Sequence, residues 1–208
     1  GKTIADMYKI SCAGGGVGFN FSKIRPKGDD IQNIQWSAPG SISVMKMINE
    51  IGEHVRAGKN RRTALMSILE VSHPDFLEFL SVKLDRKELT NFNISVAINN
   101  RFISAVENDE DWHFTFAGRH NKYFCYNVER TNEKGEVDTV MVVAKDEADA
   151  VGRADQNHKV GWTDTFANAV LTPLKAKDIW ERLLDNAVES GEPGIFNVDL
   201  ANEFTNVS

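Results

Sequence analysis

The sequence predicts an α/β fold with a parallel or mixed sheet, and three observations carry that expectation. Strand-type and helix-type segments alternate from the first glycines to about Phe116. The run TALMSILEV, Thr63–Val71, is continuously apolar over a strand's length, as in a strand covered on both faces. The segments between such runs carry apolar residues at helical spacing.

In chain order, Ile4, Met7 and Tyr8 are spaced as the end of a helix, broken at Gly14-Gly15-Gly16. VGFNFS then alternates as a strand, and KIRPKGDDI is a loop punctuated by Pro26 and Gly28. Ser41–Ala57 reads as a helix with Val44, Met47, Ile48, Ile51 and Val55 on one face and Gly58 as its stop. A basic loop, KNRR, precedes the Thr63–Val71 strand. Pro74 sits where a first helical turn begins, with DFLEFLSVK as the helix. NFNISVAI reads as a strand, RFISAVEND as a short helix and WHFTF as the last apolar run of this alternation. From about Arg119 to Ala169 the pattern changes. Two strands around the turn TNEKGE, a polar helix starting near Asp146 and a third strand near Phe166–Leu171 form a small inserted ββα unit. Pro173 then opens a helix that buries Ile179, Trp180, Leu183, Leu184 and Ala187, and GEPGIFNVD adds a turn and a strand. The domain organisation is therefore 1–118, an insert at 119–169, and a continuation at 170–208.

The 208 residues suit one large domain or one domain with an insert. No run approaches the ~18 apolar residues of a membrane span, and no signal peptide is visible, so no membrane role is expected. A net charge of −6 argues against bulk nucleic-acid binding, so any anion site must be local. The two cysteines, Cys12 and Cys125, are too few for a disulfide framework and too far apart for a zinc site, which points to the cytoplasm. The start without Met and the end at EFTNVS suggest a piece of a longer protein.

The chemistry concentrates in two places. After three glycines, which let a ligand approach the backbone closely, come Lys23, Arg25 and Lys27 at every second position. This is either a phosphate-binding region or a helix-to-strand turn beside solvated charge. Neither the dinucleotide nor the Walker glycine pattern is satisfied. Arg61 and Arg62 in the second basic loop suit a surface loop or a second anion contact. His54 and His73 suit surface or capping roles, Asp109–Asp111 a solvated turn, and Asn91 and Asn93 either a pocket wall or a turn cap.

GGGVGFNFSKIRPKGDDI, GKNRRTALMSILEVSHPDFLEFLSVK, NFNISVAINNRFISAVENDEDW and LKAKDIWERLLDNAVESGEPGIFNVD follow one another in that order. The series resembles the catalytic subunit of ribonucleotide reductase, most closely the adenosylcobalamin-dependent class, over about Lys2–Phe116 and Pro173–Asn202. The resemblance implies the first half of a ten-stranded α/β barrel built from two half-barrels. It implies an enzyme that reduces ribonucleotides for DNA synthesis by thiyl-radical chemistry. By match of position, Gly15, Gly16 and Arg62 would bind substrate. Lys23, Arg25, Lys27 and Ile31 would bind a deoxynucleoside triphosphate effector, with Arg25 the phosphate-binding arginine. Asn60, Arg61, Arg62 and Thr63 would form the specificity loop between the two ligands. The cobalt cofactor adenosylcobalamin, a thioredoxin- or glutaredoxin-type reductant and a homodimer are implied for the full-length protein. No catalytic residue matches in this chain. The Asn-x-Cys-x-Glu motif is expected past Ser208, and neither Cys12 nor Cys125 is expected to be redox-active. The insert departs from the family pattern and is expected to be tolerated decoration. Alone, the chain is expected to show low solubility and no turnover.

Overall fold

Helix α1 (Lys2–Cys12) ends where the glycines begin. In the computed structural model, which describes residues 2–31, 37–55, 63–84, 87–116, 122–156 and 164–205, the Gly15 N–H bonds the Ile10 carbonyl and the Gly14 N–H bonds the Ser11 carbonyl. This pair of bonds closes a helix when the residue past its cap is left-handed. Gly14, at φ 82°, takes that conformation. A Cβ on Gly15 would lie 2.7 Å from the Ile10 Cγ2, so the turn admits no side chain there without a shift.

The chain then enters β1 (Gly16–Asn20). With β2 (Ala64–Glu70), β3 (Phe92–Ile98) and β8 (Gly194–Asn197) it forms a parallel sheet in the order β1-β2-β3-β8. Between these strands run α2 (Gly40–His54), α3 (Phe76–Ser81), α4 (Asn100–Glu107) and α6 (Ala176–Ser190); α7 (Val198–Phe204) follows β8. One face of the sheet, with Leu65, Leu69, Phe92, Ile94 and Val96, joins the core that Met45, Phe76, Phe79, Phe102 and Ile179 fill. The other face carries Gly16, Gly18, Ala64, Met66, Asn93 and Gly194, all exposed. Among the described residues this sheet does not close into a barrel.

A second, antiparallel sheet contains β4 (Phe114–Thr115), β5 (Lys122–Thr131), β6 (Val137–Ala144) and β7 (Thr165–Leu171), with β5 paired to each of the others. Helix α5 (Glu147–Gln156) covers it, and Tyr126, Val128, Val142, Ala144, Ala150 and Ala154 form a small core of their own. The base of this sheet, Tyr123 and Cys125, belongs instead to the main core.

Several expectations are corrected here. Strand β2 alternates, with Leu65, Ser67 and Leu69 buried and Met66 exposed, because among the described residues none covers the second face of the sheet. The buried face of α2 is Ile42, Met45, Ile48, Asn49 and Gly52, while Met47 is half exposed. The rotation follows from polar packing: Asn49 Oδ1 accepts the Asn91 backbone N–H at 3.1 Å, and Gly52 lets the helix lie close to Asn91 and Leu65. Within α6, Ile179 and Leu183 are buried but Leu184 is exposed and Trp180 and Ala187 are only partly covered. Of Trp112–Phe116 only Phe114–Thr115 forms a strand, and it pairs antiparallel with β5; the place beside β3 goes to β8. Gly58 lies outside the described residues.

Candidate functional site

The candidate residues fall into two groups at opposite ends of β1. Gly15 and Gly16 lie at its start, where Gly16 is in register with Ala64. Thr63 is therefore beside the glycine turn. A Cβ on Gly16 would lie 3.3 Å from the Ala64 carbonyl oxygen, so this strand start also favours glycine. Asn60, Arg61 and Arg62 lie outside the described residues. At the other end, β1 continues into the loop of Lys23, Arg25, Lys27 and Ile31, anchored beside the end of β2 by Glu70 N–H donating to Ser22 Oγ at 3.0 Å.

Within this loop the cations differ. Lys23 is exposed. Arg25 donates to the Asp30 carbonyl at 2.6 Å, and among the described residues neither is paired with a carboxylate. Lys27 Nζ lies 3.6 Å from Glu78, whose carboxyl burial pushes up against the pull of Lys27. Ile31 is partly covered. Lys23 and Arg25 are therefore the members still open to an anion.

The loop's backbone is held by His73 and Asp75, which the sequence did not single out as a pair. His73 is buried, which corrects the surface alternative and leaves capping. Its Nδ1 accepts the Asp75 N–H at 3.0 Å, so its Nε2 donates to the Ile24 carbonyl at 2.9 Å. Asp75, also buried, accepts the Lys27 N–H at 2.9 Å and the Ser41 N–H at 2.7 Å. One carboxylate thus fixes the loop and caps the first turn of α2, where a helix favours negative charge. At the far end of α2, Thr63 Oγ1 lies 3.0 Å from both the Gly52 and Val55 carbonyls. Helix α2 therefore runs from the basic loop to Thr63 with a polar contact to each.

On its other side the loop meets the second sheet. Asp29 is 2% exposed and accepts from Tyr123 Oη at 2.9 and 2.8 Å, from Arg153 at 3.1 Å and from Lys145 at 2.7 Å. Burial alone would push its carboxyl up. The hydrogen bonds from Lys145 and Tyr123 and the two positive charges outweigh burial and hold it below the ordinary carboxylate value. Burial and the Asp29 carboxylate push the Tyr123 phenol well up, so it stays a donor. Asp29 and Arg153 are far apart in sequence, and nothing in either local pattern marks the pair.

The remaining candidates are structural. Asn91 Nδ2 donates to Glu53 at 2.7 Å and ties β3 to α2, while Asn93 is exposed on the open face. Asp111 pairs with Lys175 at 2.9 Å on the surface. Cys12 is exposed; Cys125 is buried, and burial pushes its thiol up to about 11. The described residues line a cavity of about 90 Å³ between Lys27, Glu78 and Met141–Val143 and one of about 170 Å³ between Trp112, His113, Phe124 and Cys125. Both fall below the ~300 Å³ from which ligand pockets usually begin. Among the described residues no group of three His, Cys, Asp or Glu is placed to hold a metal ion, and no helix is long and apolar enough to cross a membrane.

The family model for the ribonucleotide reductase barrel domain matches residues 1–208. The chain belongs to this family. Similar proteins include a vitamin B12-dependent ribonucleoside-diphosphate reductase of Thermoplasma acidophilum, 28% identical over 97% of this chain and 20% of that protein. One of the same name from Mycobacterium tuberculosis (strain CDC 1551 / Oshkosh) is 37% identical over 50% of this chain and 15% of that protein. The ribonucleoside-diphosphate reductase large subunit of Caenorhabditis elegans is 27% identical over 98% of this chain and 23% of that protein. The chain spans about a fifth of the length of these relatives.

Proposed function

We propose that this chain is the part of a ribonucleotide reductase catalytic subunit that carries a share of the substrate site and the site of a deoxynucleoside triphosphate effector. Gly15 and Gly16 receive the ribose and base, with Arg62 near them. Lys23, Arg25 and Lys27 bind the effector phosphates and Ile31 its sugar or base. Residues 60–63 relay effector identity to substrate choice. The observation that carries this reading is helix α2. Its first turn shares Asp75 with the basic loop, and its last turn accepts from Thr63, so one rigid element touches both groups. Two ligands that bias one element are coupled, and the coupling is reciprocal. The full-length protein is a homodimer in this reading. The relatives' names favour a diphosphate substrate and vitamin B12 as the source of the radical. The Caenorhabditis elegans relative, named a large subunit, keeps a two-subunit enzyme as the second reading.

The test is made in the full-length protein. Replacing Arg25 with Ala removes a charge-assisted phosphate contact and should weaken effector binding by about 1.5–3 kcal/mol. An unchanged effector Kd by titration calorimetry would sink the assignment. Turnover that requires added cobalamin separates the two radical sources.

A further inference from the structure

The insert was expected to be decoration, yet its helix reaches into the basic loop. Arg153 is 6% exposed. Its Nη1 donates to the Lys27 carbonyl, its Nη2 to Asp29 at 3.1 Å and its Nε to Asp149 at 2.9 Å. The guanidinium also lies 5.5 Å from the centre of the Tyr123 ring, with Lys145 5.6 Å from the same ring. Gly28 sits at φ 78°, and a Cβ there would lie 3.2 Å from the Arg153 Cγ, so loop and side chain are fitted together. Lys27 is held from both sides, its N–H by Asp75 and its carbonyl by Arg153. A buried arginine is costly unless its donors are met, and decoration needs no such arginine.

We propose that the 119–169 unit is a positioning device for the effector site: Arg153, with Tyr123 and Lys145, locks Lys27–Asp29 in the conformation that presents Lys23 and Arg25 to the effector phosphates. The proposal rests on the effector reading of that loop. Arg153 touches no ligand; it acts through the loop backbone. The contacts that reach the loop, from Arg153, Tyr123 and Lys145, all fall on residues 27–29.

The experiment uses full-length protein carrying Arg153→Ala, Arg153→Lys, Tyr123→Phe or Arg25→Ala. Each common deoxynucleoside triphosphate is titrated by calorimetry, with hydrogen exchange followed on residues 23–31. Arg153→Ala should raise the effector Kd about two- to thirtyfold, the range for residues coupled to a site they do not touch. Exchange should speed up in residues 27–31, and effector-free turnover should hold. Arg153→Lys should recover part of the affinity, since one ammonium replaces one of three directed contacts. A folded Arg153→Ala with native affinity overturns the lock; Arg25→Ala weakened in the same experiment then leaves the effector reading standing. If Arg25→Ala also binds normally, the effector reading fails and the lock falls with it. Should Arg153→Ala not fold, Tyr123→Phe decides. It keeps the ring and removes only the hydroxyl that donates to Asp29, and unchanged affinity and exchange overturn the proposal.

Discussion

Asp75 shows how much one side chain can organise. It is buried and accepts two backbone N–H groups from two different segments. Asp75→Ala strands both donors, and stability should fall by about 2–5 kcal/mol, read as a lower urea midpoint with an unchanged slope. Gly14 carries a different demand. Its φ of 82° lies where a Cβ meets the following carbonyl, so Gly14→Ala should lose about 1–2 kcal/mol in the same assay. The triple glycine was legible as a turn or a ligand site, and the geometry gives the turn a firm role for Gly14 and Gly15. Cys125 is buried with its thiol pushed up to about 11, whereas Cys12 is exposed. Under native conditions at neutral pH, iodoacetamide should modify Cys12 first and leave Cys125 until the protein unfolds; mass spectrometry of the labelled peptides checks this.

Among the elements, the strands and helices were largely legible because their periodicities are local. The errors concern which side of an element is covered. Helix α2 has apolar residues most of the way round, and tertiary polar pairs such as Asn49 with Asn91 chose the face. The junction of the basic loop with α5 and β5 was not legible, since Asp29, Tyr123 and Arg153 are brought together by folding alone. That junction has a pH signature. The native Asp29 value is depressed, so its contribution is present above the ordinary carboxylate value, about pH 4, and is lost as pH falls through the lower native value. Asp29→Asn should therefore flatten the acid side of the stability curve while lowering stability at neutral pH. Equal acid slopes in the two proteins, measured by urea unfolding between those limits, would contradict the ion cluster.

For the whole molecule the open face of the parallel sheet decides behaviour. Met66 is 45% and Phe196 44% exposed there and on β8, and Phe204 beyond it is 74% exposed. β1 and β8 are the outer strands of the parallel sheet. Such edges and apolar patches favour association. The 208-residue chain alone should self-associate in light scattering; a monodisperse monomer would show that the face is tolerated. The sequence by itself determined the alternation of elements and the family, because those signals reside in spacing and in the order of short motifs. Only the tertiary structure decided that β8 returns beside β3 and that Arg153 closes on the loop. Each of these joins residues distant along the chain, and a sequence read locally carries no term for contacts that exist only once the chain has folded.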